Sequence, residues 1–185
     1  MSFSHYRTAR RQLVRGVSLI ETLCAMSIVA TTLGLGVPGL TSWHQRQALI
    51  SSAAELETDI HYARSLAVAR NASIRLSSAP LEGGGSCYVL HTGDAHDCRC
   101  TAAGEAICEN GAQALRLVHH PKGGPVSLSN GKLSIAFNPE HGTVTPTATF
   151  RFVDTEGRAL HQVVNIMGRT RSCSPGGAVT GVKAC

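Results

Sequence analysis

Aromatic side chains are scarce: only eight of the 185 residues, or 4%, are Phe, Tyr or Trp. A core built here rests on Val, Leu, Ile and Ala, which bury less area per residue than aromatics do. Catalytic signatures are missing as well. The chain has no Gly-x-Ser-x-Gly elbow and no His-Glu-x-x-His helix. The glycine-rich stretch Leu81–Gly85 lacks the Lys-Ser/Thr sequel of a phosphate-binding loop, so it receives no nucleotide role. Nine histidines are scattered, and the adjacent pair His119-His120 would point to opposite faces of a strand. The expectation is a chain that is not an enzyme, with no cofactor, no metal and no small-molecule substrate. Acidic residues are absent from the first sixteen positions and from everything after Glu156.

That uneven distribution explains the formal charge of +5. Arg7, Arg10, Arg11 and Arg15 carry four of the positive charges, and the rest of the chain holds 13 basic against 12 acidic residues. Without the first sixteen residues, a role with nucleic acid would have to rest on a local basic patch. The length suits one modest domain plus an appendage. Of seven cysteines, Cys24 lies in an apolar run and reads as an ordinary small residue. The other six, Cys87, Cys98, Cys100, Cys108, Cys173 and Cys185, fall in two clusters of the polar part. An even number so placed points to disulfides in an oxidising compartment. A metal reading of His91, His96, Cys98, Cys100 and Cys108 is disfavoured, because Cys-x-Cys is not the usual zinc spacing. Two disulfides are expected among the first four cysteines, with all three connectivities open. Cys173 and Cys185 would close an otherwise flexible tail through Gly176-Gly177.

Residues 17–40 form an apolar run of 24 with one charge, Glu21. It is too long for the apolar region of a secretory signal and has no small-residue cleavage site after it. Its length fits a membrane-spanning helix, with the preceding arginines on the cytoplasmic side. A carboxylate one turn into such a helix is costly and needs a partner or a function.

The string Arg15-Gly16 followed by Val17-Ser18-Leu19-Ile20-Glu21 resembles the class III signal of type IV pilins and type II secretion pseudopilins. The resemblance implies cleavage after Gly16 by a prepilin peptidase, retention of the helix, and N-methylation at Val17, where the family usually has Phe. It also implies that Glu21 is the fifth mature residue and Pro38 the twenty-second, both landmarks of the family that serve assembly. Glu21 would then neutralise the new amine of a neighbouring subunit, since charges in low dielectric need partners. Pro38 removes a backbone hydrogen bond and is expected to kink or locally melt the helix.

From Trp43 to Arg70 the apolar positions Leu49, Ala53, Leu56, Ile60, Ala63 and Ala67 recur at spacings of four and three, one stripe of an amphipathic helix. A helix from Val17 to about Arg70 would be roughly 80 Å long. After Asn71 the pattern becomes short alternating runs, read as strands near 73–78, 87–92, 114–119, 132–137, 143–153 and 160–167. Asn130-Gly131 is read as a tight hairpin turn and Asn138–Gly142 as a longer one. Pro146 would make the fifth strand an edge or bulged strand. The fold class is thus α+β, one long N-terminal helix packed against an antiparallel β-sheet domain. Four segments follow: a leader at 1–16, an apolar helix half at 17–40, an amphipathic half at 41–70, and a β-rich domain at 71–185.

Residues 51–76, the segment FNPEHGTVTPTATFRF and the ending VVNIMGRTRSC resemble the GspH/FimT family of minor pilins. Within it, Gly168-Arg169-Thr170-Arg171 resembles the Gly-Arg-x-Arg element of FimT minor pilins that take part in DNA uptake. The resemblance implies non-specific contact with double-stranded DNA through Gly168, Arg169 and Arg171, with Arg158 and Lys183 as further cations. Two arginines at spacing two on an extended segment lie on one side, able to straddle a phosphate backbone. The implied partners are other major and minor pilins, the peptidase, the inner membrane and DNA. The chain would cross the inner membrane once with its domain in the periplasm, then reach the pilus surface. Two other outcomes are a structural minor pilin that binds no DNA and a pseudopilin of a type II secretion system. Gly16→Ala is expected to leave a heavier, uncleaved precursor by mass spectrometry; normal processing would remove the class III reading.

Overall fold

The computed structural model describes residues 16–185 and, for residues 35–38, the backbone alone. The leader ahead of Gly16 lies outside the described residues. Two compact units emerge, one ending at Thr41 and the other Ser42–Cys185. Helix α1, Leu19–Arg70, is 52 residues long and begins in the first unit. There Ile20, Leu23, Met26, Val29 and Leu33 are all exposed, and Glu21 sits in the first turn. By length and composition this part can cross a membrane. The hydroxyls of Thr22, Ser27, Thr31 and Thr32 donate to carbonyls three or four residues earlier, which satisfies them without water. The helical assignment continues through Pro38, so the expected local melting does not occur.

In the second unit the predicted stripe is the buried face of α1. Leu49, Ala53, Leu56, Ile60, Ala63 and Ala67 are each at most 2% exposed. Burying Leu49, Leu56 and Ile60 contributes about 1.5–3 kcal/mol each. The helix ends at Asn71, whose φ of 48° is the left-handed stop that Asn tolerates.

Among the described residues eleven strands follow: β1 (Ile74–Pro80), β2 (Gly85–Thr92), β3 (Cys98–Cys100), β4 (Ala106–Cys108), β5 (Ala114–Pro121), β6 (Val126–Leu128), β7 (Leu133–Phe137), β8 (Val144–Thr145), β9 (Ala148–Asp154), β10 (Ala159–Val164) and β11 (Thr170–Cys173). They form a five-stranded sheet in the order β5-β2-β1-β7-β8, a four-stranded sheet β11-β10-β9-β6, and a two-stranded flap β3-β4. All pairs are antiparallel. Ile74, Leu76, Tyr88, Leu90, Ile135 and Phe137 of the larger sheet share one core with Phe150, Phe152, Leu160 and Val164 of the smaller, together with the helix stripe.

Three turn assignments change. Asn130-Gly131 is not a hairpin, because β6 and β7 belong to different sheets. Instead the Asn130 side chain clamps β9: its Nδ2 donates to the Thr149 carbonyl and its Oδ1 accepts from the Arg151 N–H. The run 143–153 breaks at Pro146 into β8, at the rim of the larger sheet, and β9, inside the smaller one. Proline without an N–H suits this passage between sheets, and the Thr145–Pro146 bond is cis. The last predicted strand stops at Val164, because residues 165–169 form the turn into β11. The loop Asn138–Gly142 does join an antiparallel pair, β7 and β8, with Asn138 Oδ1 accepting from the N–H groups of Glu140 and His141.

A polar clamp fastens α1 to the larger sheet. Asp59, 2% exposed, accepts from Tyr88 Oη at 2.8 Å and from Arg116 Nε, which lies 2.7 Å from Oδ1. Arg116 also reaches Glu55 at 2.9 Å. Burial pushes the Asp59 carboxyl up, against the opposing pull of Tyr88 and Arg116. Removing Asp59 would leave the buried Tyr88 phenol unpartnered and Arg116 with Glu55 alone. Asp59→Ala is therefore expected to cost about 2–4 kcal/mol in urea unfolding, and Tyr88→Phe only about 1 kcal/mol. Equal, small losses would show that the clamp is incidental to helix docking.

Candidate functional site

The β10–β11 hairpin carries the tail arginines. Its turn is closed by Asn165, whose N–H donates to the Arg169 carbonyl and whose Oδ1 accepts from the N–H groups of Met167 and Arg169. Gly168 has a φ of 69°, and a Cβ there would meet Arg64 Cδ at 3.3 Å and the Gly142 carbonyl at 3.4 Å. A side chain would be strained in this conformation and crowded against α1. Gly168 is thus buried behind the arginines and positions them, with Arg169 and Arg171 exposed beside it.

Register adds a residue that sequence reasoning missed. Arg151 of β9 pairs with His161 of β10, which pairs with Cys173 of β11; in the next rung Thr149 pairs with Val163 and Val163 with Arg171. Since residues two apart on a strand share a face, Arg151, His161, Val163 and Arg171 lie on one outward face of the four-stranded sheet. Arg151 is exposed, and its charge reaches His161, whose imidazole is held low by partial burial first and by Arg151 second. The cross-strand neighbourhood was invisible locally, because Arg151 lies 18 residues before Arg169.

The other predicted cations separate. Lys183 is exposed beside the end of β11: its carbonyl accepts from the Ser174 N–H, and Ala184 bridges to Ser174. Arg158 is not part of the face. Its Nε bonds Asp154 at 2.6 Å, its Nη1 reaches Glu156 and Ser42 Oγ at 3.0 Å, and its side chain is 18% exposed. Two carboxylates neutralise it, so it has no charge to offer a ligand. Among the described residues none of Arg151, Arg169, Arg171 and Lys183 is in an ion pair.

The cysteines pair as Cys87–Cys100, Cys98–Cys108 and Cys173–Cys185. The first ties the β3-β4 flap to β2, and the second crosses the flap itself. With these sulfurs bonded to one another, the thiolates needed for a metal at His91 and His96 are taken. His161, Cys173 and Cys185 also converge within 4.8 Å, but there too the sulfurs form a disulfide. The third disulfide closes a tail that is more than a loose end. Val179 is fully buried in the core, and its N–H donates to Ser174 Oγ, which donates to the Ala159 carbonyl.

A family model described as type II transport protein GspH matches residues 52–168. The chain belongs to this family. The match to GspH spans most of the docking half of α1, the larger sheet, the flap and the smaller sheet apart from β11, and ends at Gly168, so the arginines of the tail lie just beyond it. Among solved structures, the type IV minor pilin FimU of Pseudomonas aeruginosa is similar, with 20% identity over 72% of this chain and 96% of that one and a TM-score of 0.47. No curated protein matches. In this GspH-family chain the segment 170–185 is folded back by a disulfide and one buried valine, which sets the stiffness of the arginine face. The double change Cys173→Ser/Cys185→Ser is expected to cost about 3 kcal/mol for a loop of this length. Hydrogen exchange of the Val179 amide is expected to rise steeply; an unchanged rate would place the tail's stability in Val179 packing alone.

Proposed function

We propose that this chain is a minor pilin of a type IV pilus whose four-stranded sheet holds double-stranded DNA by its phosphates and assists uptake in natural transformation. The prepilin peptidase cuts after Gly16, Glu21 pairs with the amine of a neighbouring pilin, and the apolar helix serves first as an inner-membrane anchor and then as filament core. The observation carrying the DNA reading is a sheet face on which Arg151 and Arg171 stand exposed and unpaired, with Arg169 exposed and unpaired on the turn that leads into it, while Arg158 is held by two carboxylates. Guanidinium groups bind phosphate oxygens in a planar, forked geometry. Contacts of this kind carry no base information, so binding is independent of sequence. A tail tied by Cys173–Cys185 and Val179 loses little further entropy when it binds. Affinity from a few cations is low, and several copies along a filament raise it by avidity.

The family description favours a second reading, a pseudopilin of a type II secretion system, in which the same face would meet other pseudopilins or exported proteins. A mobility-shift titration of the unit Ser42–Cys185 with duplex DNA at low and moderate salt separates the two. Wild-type binding is expected to weaken as salt rises, with each lost phosphate contact reducing the log–log slope by about 0.9. Arg169→Gln/Arg171→Gln is expected to abolish the shift and Arg151→Gln to weaken it, whereas Lys122→Gln, on the β5–β6 turn, leaves it intact. Absence of a shift for the wild-type unit, or one unaffected by the double change, would leave a structural minor pilin or a pseudopilin.

A further inference from the structure

The outer face of the five-stranded sheet holds a second polar site, remote in sequence from the arginine tail. Where the disulfide-fastened flap overhangs β1 and β7, a cavity of about 380 Å³ opens, lined among others by Ser77, Val89, Arg99, Lys132, Leu133 and Ser134. That volume lies within the range of small-molecule sites. Among apolar neighbours such as Val89 and Leu133, its floor carries a chain of polar side chains. Ser77 Oγ lies 2.9 Å from Ser134 Oγ and 2.9 Å from Nε2 of His91, whose Nδ1 is 2.9 Å from the Thr92 carbonyl. His91 is fully buried, and the β2–β5 register slips beside it, between Leu90 and His91.

The direction of these hydrogen bonds can be deduced. A carbonyl only accepts, so Nδ1 of His91 carries the proton that goes to Thr92. Burial pushes the His91 imidazole down, so Nε2 is a bare acceptor near neutral pH. Ser77 must therefore donate to Nε2, and Ser134 must donate to Ser77. Both hydroxyl protons are spent, so Ser77 and Ser134 offer a ligand only lone pairs. A ligand that satisfies such a floor brings hydroxyl donors. The rim has the opposite character. Lys132 is exposed, and among the described residues no carboxylate pairs with it. Arg99, also on the rim, is held by Glu109 at 2.6 Å, which fixes its position and offsets its charge. Donor hydroxyls below and an anionic group above describe one chemical class.

We propose that this cavity binds an acidic sugar, with hydroxyls donating to the Ser77–Ser134 floor and the carboxylate meeting Lys132 at the rim. The same chemistry occurs in a free sugar acid and in a residue of an acidic polysaccharide. The flap disulfides hold the roof at a fixed height over the floor, so the site is preformed. It owes nothing to the arginine face and stands whether or not that face binds DNA.

Backbone-amide NMR of the full chain, in a non-ionic detergent without sugar head groups, tests this with galacturonate as probe and galactose as neutral control. Saturable shifts are expected at Ser77, Lys132 and Ser134 with galacturonate and none with galactose. Lys132→Gln is expected to weaken binding about tenfold, the worth of one charge-assisted hydrogen bond, and Lys132→Arg to restore it. Ser134→Ala weakens it from the floor side. A short oligogalacturonate that binds at least as tightly as the monomer assigns the site to polysaccharide; one that is shut out assigns it to free sugar acids. No saturable shift with galacturonate, equal response to galactose, or undiminished binding by Lys132→Gln would overturn the proposal.

Discussion

Everything in the second unit depends on one line of side chains, Leu49 to Ala67, meeting two sheets at once. The stripe mixes the branched aliphatics Leu49, Leu56 and Ile60 with Ala53, Ala63 and Ala67, and all six share one buried cluster with strand residues such as Tyr88 and Phe150. The core does not rest on aliphatics alone: Tyr88, Phe137, Phe150 and Phe152, half of the few aromatics, are fully buried in it. Polar ties then fix the docking angle. Asp59 holds Tyr88 and Arg116 of the larger sheet, while Glu57 accepts from Gln162 and Ser42 from Arg158 of the smaller. These buried and partly buried bonds contribute little net stability compared with the stripe. Their cost if broken is what makes one docking register win.

Disulfides complement this scarce core in two ways. Cys87–Cys100 and Cys98–Cys108 attach a flap too small to own a core, and Cys173–Cys185 holds the tail so that Val179 stays in place. Each therefore fixes an element that carries polar surface, the flap over the sugar-sized cavity and the tail beside the arginine face. The stiff parts of the molecule lie under its polar surfaces.

Legibility from sequence followed the range of the interaction involved. The stripe was readable residue by residue, because a helix brings positions three and four apart together and leaves a local signature. The longer strands were readable for the same reason at period two, but β3, β4, β6 and β11, three or four residues each, are too short to leave a period and were not read. What joined which sheet was not: Asn130-Gly131 carries the chemistry of a hairpin turn yet serves a crossing, since the choice is made by the distant partner β9. Arg151 escaped notice because cross-strand register is a tertiary property. The pairing of Arg158 was not legible either, since its acidic partners Asp154 and Glu156 precede it and only the turn geometry brings them around it. Cysteine connectivity was open in principle, as four cysteines allow three pairings.

The Asn130 clamp bears on how the chain would age. An asparagine followed by glycine is the step at which a backbone nitrogen most readily attacks the side-chain amide and expels ammonia. Here that amide is occupied, donating to Thr149 and accepting from Arg151, and it would have to leave both partners to react. Once converted to aspartate, the residue would turn a donor into a carboxylate facing the Thr149 carbonyl, and β9 would lose its fastening where Arg151 emerges. The ageing of one amide would thus be read out as a loosened basic face. Isoelectric focusing after prolonged alkaline incubation would register the acidic shift, and a persistently unshifted band would mean that the clamp protects the amide for as long as the sheet stays folded.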